Sequence, residues 1–314
     1  MLNKHIKIAL ILLVVSFPVL IYGIYQNNLS LHSQSRGHYF FSQTRDNVST
    51  DRIVFKFPDS KTISLKKHQG FWRIEEADDY FVAFEKVNLF VKLIRNSTIY
   101  RSDRITQNDN VKFKEALRIT SFDDNNKIIE DVFVAKKSQN NKYSYAKRSN
   151  GDFIYQINGN FELSSHPLDW AQMPLLAIPF DRVKSVAFDD VKITRNYPND
   201  RFVSHQNGQE VLYLKNLFDT LWYLGAEDVR HSVHFNSSGY KKVKQIEIIG
   251  FSGIMYLLDL YQNKNEYWLT IRLDKDILFN PDIVKKLEDN RALYDGWYFK
   301  LNQDIGKLIA EFSI

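Results

Sequence analysis

The residues of this chain best suited to chemistry are few and scattered. His231-Ser232-Val233-His234 has the i, i+3 spacing that on a helix could bring two imidazoles to one metal ion. The local pattern instead reads as strand, which sends the two rings to opposite faces, and no third ligand is evident nearby. Solvated or hydrogen-bonded histidines are expected there. The acidic doublets Asp78-Asp79, Asp123-Asp124 and Asp189-Asp190 lack the alternating ligands, the Gly and the distal Glu of a calcium loop. They read as turns and, at Asp78-Asp79, a helix cap. Two carboxylates far apart in sequence could still pair for glycosidic chemistry. Ser204-His205 supplies no triad logic, and there is no phosphate loop, dinucleotide fingerprint or nucleophile elbow. Trp72, Trp170, Trp222, Trp268 and Trp297 could stack sugar rings, but their spacing suits packing between elements better. The expectation is thus no catalytic, cofactor-binding or metal-ligating residue, and no cofactor.

Composition narrows the classes further. With no cysteine, thiol nucleophiles, disulfides, iron–sulfur clusters and thiolate zinc sites are excluded, and an oxidising compartment is compatible. The balance of 44% hydrophobic and 25% charged residues is that of a folded chain, and 314 residues suffice for about two domains. An aromatic share of 14% favours sheet. Of 42 Lys and Arg residues, Lys4 and Lys7 precede an apolar segment, leaving 40 against 37 acidic residues. That near balance argues against a nucleic-acid partner.

The apolar segment runs from Ile8 to Tyr25 without a charge. As a helix it spans roughly 27 Å, near the lower limit for a bilayer crossing. Lys4 and Lys7 before it place the N-terminus in the cytoplasm by the positive-inside rule. A cleaved signal would need small residues before the cut, and only Gly23 is available around Leu20–Tyr25. The expected organisation is a cytoplasmic tip (1–7), a transmembrane anchor (8–25), a stalk (26–49), and two extracytoplasmic units (50–182 and 183–314).

Elements in the first unit follow from period-two runs and turn residues. Ile53–Phe57, a turn at Pro58-Asp59-Ser60, and Thr62–Lys66 predict a hairpin; Phe71–Ile74 predicts a third strand. Phe84, Val87, Val91 and Ile94 predict one face of a helix. A meander follows through Leu117–Thr120, Ile129–Ala135, Tyr143–Lys147 and Phe153–Ile157. The order then recurs: a helix over Gln209–Leu224 stopped by Gly225, strands over Val243–Ile249, Met255–Leu260 and Tyr267–Leu273, and a Gly-opened aromatic strand at Gly296-Trp297-Tyr298-Phe299. The offset drifts between roughly 130 and 145 residues, a weak internal duplication with its boundary near 180–190. The predicted class is α+β: two similar units, each a mostly antiparallel sheet with helices packed on one face.

The stretch Val54 to Ile74 with its Gly70-Phe71-Trp72-Arg73-Ile74 strand, the path from Tyr143 through Pro167-Leu168-Asp169-Trp170 to Leu175–Pro179, and the closing Trp297-Tyr298-Phe299 strand with its short helix resemble the bacterial domain-of-unknown-function family 4340. The resemblance implies a single-pass envelope protein, with many members similar to auxiliary components beside ABC transporters of the gliding-motility type. It implies no catalytic residues. With no permease helices of its own, the chain would be accessory to transport, with integral membrane proteins such as permease subunits as partners. The functional expectation is a non-enzymatic, membrane-tethered accessory or scaffold protein on the extracytoplasmic side. A binding module for a cell-wall polymer or lipid is the alternative, and an envelope hydrolase a third.

Overall fold

The computed structural model describes residues 36–41, 50–105, 113–137, 143–173, 175–176, 178–211, 214–275, 285, 287–288 and 290–312. The expected anchor Ile8–Tyr25, with Lys4 and Lys7, lies outside the described residues. Among the described residues no helix is long and apolar enough to cross a membrane.

Buried and less buried side chains alternate in β1 (Arg52–Lys56), whereas β2 (Thr62–His68), joined to it through a tight turn, is buried at Ile63, Ser64 and Leu65 together. Ser60 takes φ 67° in that turn, and the Phe57 N–H bonds the Lys61 carbonyl across it. Gln69 and Gly70, both at positive φ, reverse the chain into β3 (Phe71–Ile74), which β4 (Tyr80–Phe81) extends antiparallel. Helix α1 (Phe84–Asn96) follows, then β5 (Ile99–Arg104) and the meander β6 (Leu117–Phe122), β7 (Ile128–Lys137), β8 (Ser144–Arg148) and β9 (Phe153–Ile157). These strands form a nine-stranded sheet in the order β4-β3-β2-β1-β6-β7-β8-β9-β5. Asp123 closes the β6–β7 turn, as expected, its carboxylate accepting from the Asn125 and Lys127 N–H groups.

The second sheet is built from β10 (Val183–Phe188), β11 (Val191–Thr194), β12 (Val203–Ser204), β13 (Asp228–His231), β14 (Lys241–Gly250), β15 (Ile254–Asn263), β16 (Glu266–Lys275) and β17 (Trp297–Leu301). Helix α2 (Leu214–Trp222) precedes β13, and α3 (Gln303–Glu311) ends the described chain. The order is β12-β11-β10-β14-β15-β16-β17-β13. Put β10, β11 and β12 for β1, β2 and β3, β13 for β5, and β14–β17 for β6–β9. The two orders then coincide, with β4 as an extra strand. In each sheet the strand after the helix crosses to the far edge and pairs with the last meander strand.

The architecture is α+β with the antiparallel sheets dominant. Helices are few and short among the described residues, so the expectation of helix-covered units holds only in its coarse form. The compact units also interleave. Of the described residues, one unit takes those up to Ser64 and Val87–Ser165, the other Leu65–Lys86 and those from His166 on, so divisions fall inside β2, inside α1 and after Ser165. The segment carrying β3 and β4 belongs with the second unit because Tyr80 packs edge-on against Trp297 and Phe299, and its hydroxyl donates to the Leu293 carbonyl.

Within α1 the buried stripe is Val87, Phe90 and Ile94, while Phe84 is 73% exposed. At about 100° per residue Phe84 and Val91 fall on the flank of that stripe. The face is turned toward Phe90, which meets Phe55 of β1 edge-on at 5.0 Å. Asp78 and Asp79 do not cap this helix. Both sit at positive φ in the turn before β4, conformations that Asp tolerates better than most residues.

Helix α3 lies on β14–β16, and its Gly306 is buried where Tyr267 crosses it. A Cβ at position 306 would come within 2.3–2.5 Å of the Tyr267 side chain. Helix propensity alone predicts that Gly306→Ala stabilises by about 1 kcal/mol. Overpacking of about 1–3 kcal/mol works against it, and a buried ring cannot swing clear, so a net loss is expected. Urea midpoints compare the two, and a gain in stability would contradict this packing.

Candidate functional site

Strand β13 ends at His231, and the chain turns back at once: the His234 and Phe235 N–H groups both bond the His231 carbonyl. The turn brings both histidines to one carboxylate, which strand geometry would not do. Asp78 accepts from the His231 backbone N–H (2.6 Å) and, on its other oxygen, from His234 Nδ1 (2.6 Å). The His231 ring stands edge-on to Trp297 at 4.9 Å. His234 has an Asp-oriented imidazole, as a general base would need, but none of its described hydrogen bonds comes from a hydroxyl nucleophile. This group is a staple that fixes the turn before β4 to the end of β13. Asp78→Ala should therefore cost about 2–3 kcal/mol, from two lost hydrogen bonds and a non-Asp residue at positive φ. His234→Ala, at a ring 63% exposed, should cost under about 1 kcal/mol. Denaturant titration of the two variants checks the order, and a reversed order would contradict the staple.

The other sequence candidates are dispersed. Ser204 is buried, whereas the neighbouring His205 reaches Thr194 Oγ1 at 2.7 Å, so the pair is not a dyad. Asp189 turns the β10–β11 hairpin and holds buried Lys244, which also donates to the Phe312 carbonyl. Trp170, Trp268 and Trp297 are packed inside, and Trp72 and Trp222 are half-buried. No group of three or more His, Asp or Glu side chains that could hold a metal occurs among the described residues.

The most developed polar surface, one not singled out by sequence, is the solvent-facing side of the second sheet. Strand alternation sends Ile246, Leu258, Leu260, Leu269, Ile271 and Phe299 inward and their neighbours outward. Asp259 is the buried centre of that outer face. Its carboxylate accepts from Gln245 Nε2 (2.6 Å), Lys242 Nζ (3.3 Å) and Arg272 NH2 (3.1 Å), whose exposed ends roof it. Beside it Phe235, folded over from the turn after β13, stacks on Tyr298 at 4.0 Å and packs on Trp268 at 4.8 Å. Tyr261 lies 5.8 Å from Tyr298. Burial, and then the Asp259 charge, push the Tyr261 hydroxyl above its ordinary pKa; Tyr298 is raised by burial first and by Tyr261 and Asp259 after it. At the rim Glu266 accepts from Lys300 (2.9 Å) and Tyr240 (2.7 Å), which hold its carboxyl below the usual range.

The first sheet carries a reduced version of this face on the corresponding strands. Asp131 of β7 takes a bidentate pair from Arg118 (2.8 and 2.7 Å) and a third bond from Thr120 (3.1 Å). The Arg118 guanidinium holds the Asp131 carboxyl below its ordinary value. Phe133 lies beneath both Arg118 and Lys147. Cations over Phe133 on the first face, packed rings on the second, and a satisfied carboxylate on each make mixed-charge surfaces suited to contact. The signal for it was present as alternation, Asp259 with Tyr261 and Asp131 with Phe133, but pairing across strands was not readable.

A comparison with curated proteins finds no match. Among solved structures, an outer membrane protein candidate from Bacteroides fragilis is 10% identical, over 83% of this chain and 99% of that chain, with a TM-score of 0.11. So low a score carries no argument about fold. The family model described as "Domain of unknown function (DUF4340)" matches residues 72–286, from β3 to beyond β16. With well over half of its length matched, the chain belongs to the DUF4340 family.

Proposed function

We propose that this protein is a non-catalytic, membrane-anchored accessory protein of a bacterial envelope complex, working by contact through the outer face of its second sheet. The observation that carries this reading is the state of four buried or half-buried carboxylates. Asp78, Asp131, Asp259 and Glu130 are each bonded to structural partners, Glu130 to Arg148, which leaves them poor general acids or bases. The same bonds stiffen the faces they lie on. Ile8–Tyr25, with Lys4 and Lys7 before it, supports a single-pass anchor with a cytoplasmic N-terminus and an extracytoplasmic body. Tethering raises the effective concentration of the contact surface near integral partners. Permease subunits of an ABC-type transport system are the partners proposed, on the family resemblance. The coinciding strand orders support descent of the two sheets from one duplicated unit.

A second reading, a module for a cell-wall polymer, is favoured by one feature: the Phe235–Tyr298 stack beside Tyr261, since sugar rings also lie on aromatic faces. Affinity purification of the full chain from its own membranes separates the readings. Transporter subunits in near-equal amounts support the first, and retained polysaccharide without protein partners supports the second. Turnover abolished by a single Asp→Asn change in a folded protein would contradict both.

A further inference from the structure

The segment Arg36–Phe41 does not hang free as a stalk but is laid against Ser97–Ile99, where the chain enters the edge strand β5. The Gly37 N–H donates to the Ile99 carbonyl, the Ile99 N–H to the His38 carbonyl, and the Phe40 N–H to the Ser97 carbonyl, each at 2.8 Å. Phe40 and Phe41 are fully buried, which pins the segment. Around the pinned residues the edge presents a surface of a particular kind. Tyr39 and Tyr100 are 38% and 43% exposed. Tyr100 is stacked on Tyr143 at 4.3 Å, and the Arg36 guanidinium lies 5.1 Å over its ring. Arg36, His38, Arg101 and Arg104 are exposed there. The acids on the same edge are Asp103, which pairs with Arg101 at 2.9 Å, and the exposed Asp152.

Only Gln26–Ser35 separate this edge from the uncharged segment Ile8–Tyr25. Ten residues reach at most about 35 Å even when fully extended. The edge on which the chain enters the fold is therefore confined to the neighbourhood of the bilayer if Ile8–Tyr25 spans it. Half-exposed tyrosines and arginines are the side chains that suit that zone. A phenol ring sits at headgroup level with its hydroxyl wet, and guanidinium groups pair with lipid phosphates.

We infer that the β5 edge, with Arg36–Phe41 docked on it, is a second membrane contact, in which Tyr39 and Tyr100 enter the headgroup layer and Arg36 and Arg104 face anionic lipid phosphates. The inference rests on the anchor reading given under Proposed function. It makes the first unit a body lying on the bilayer rather than one displayed on a free tether.

Because the chain has no cysteine, single probes can be placed without background. Tyr39→Cys, Tyr100→Cys and the control Ile128→Cys are labelled with a fluorophore in the full chain. Ile128 starts β7, about 14 Å across the sheet from Tyr100 and about 27 Å further along it. The proteins are reconstituted into phosphatidylcholine vesicles with and without phosphatidylglycerol, carrying a nitroxide at the lipid headgroup. Quenching at 39 and 100 should exceed that at 128 by about twofold or more, and anionic lipid and Arg36 and Arg104 (against Arg36→Glu with Arg104→Glu) should each strengthen it. Equal quenching at all three positions, in protein that floats with the vesicles and keeps its circular dichroism, overturns the inference alone. Protein that does not float overturns the anchor reading and the inference with it.

Discussion

Replacing Phe40 and Phe41 together by alanine should unfold the first unit or leave it at the margin of stability. Both rings are buried to within 1%. Phe40 meets Tyr155 at 5.2 Å, Phe41 meets Phe161 at 5.9 Å, and the two rings meet each other edge-on. Arg148 lies 5.1 Å over the Phe40 ring and donates to the Phe40 carbonyl, while its other arm holds Glu130, whose side chain is 2% exposed. Each Phe→Ala change removes about 3–5 kcal/mol of packing, against a total domain stability of about 5–15 kcal/mol. The effects of adjacent rings are not independent, so the sum is an upper bound. Single variants should shift the urea midpoint strongly, and the double variant should lose the cooperative transition. A midpoint unchanged by Phe41→Ala would mean that the segment is only resting on the edge.

Arg195→Lys in the second unit should cost several kcal/mol despite keeping the charge. The guanidinium is enclosed and donates through Nε and both terminal nitrogens to the carbonyls of Val183, Pro198 and Phe180. It also lies within 4.4–5.6 Å of the Phe180, Phe202 and Phe251 ring centroids. Burial pulls its pKa below the ordinary arginine value, opposed by the charges of Asp181 and Asp200. A lysine cannot reach three divergent carbonyls or lie flat among rings. At least one carbonyl is left unsatisfied, at about 1–3 kcal/mol each, with lost stacking added. Thermal melts of Arg195→Lys and Arg195→Met compare the parts. If lysine were as stable as the parent, the planar fork would not be what organises this corner.

Such positions mark what was legible in the sequence and what was not. Strands β3 and β9 come out at their expected bounds because short aromatic and β-branched runs opened by turn residues, Gln69-Gly70 and Gly151-Asp152, act locally. The helix expected over Gln209–Leu224 shortens to Leu214–Trp222 because tertiary pairing takes its first turn. Glu210 bridges to Val203, and the Val211 N–H bonds the Phe202 carbonyl. Phe40 and Phe41 fall inside the expected stalk, where the only local signal was an aromatic doublet in a polar stretch. Their partners, Tyr155, Phe161 and Arg148, lie more than a hundred residues on. The Asp78 staple and the Tyr80–Trp297 contact were hidden for the same reason, and they are what draws β3 and β4 into the second unit. Asp259 could be seen as an acid in a strand, but its three donors come from β14 and β16, whose register no single-sequence pattern fixes.

The claim that the protein acts by contact through the outer face of its second sheet is tested most directly by partner recovery. The full tagged chain is purified from its own membranes alongside Arg272→Ala and Tyr298→Ser, which alter that face while leaving the anchor and the first unit intact, with circular dichroism to verify folding. Integral membrane subunits should accompany the parent and fall at least about tenfold with the face variants, the loss expected when about 1.4 kcal/mol of binding is removed. Undiminished recovery of the same partners with both folded variants would contradict the account.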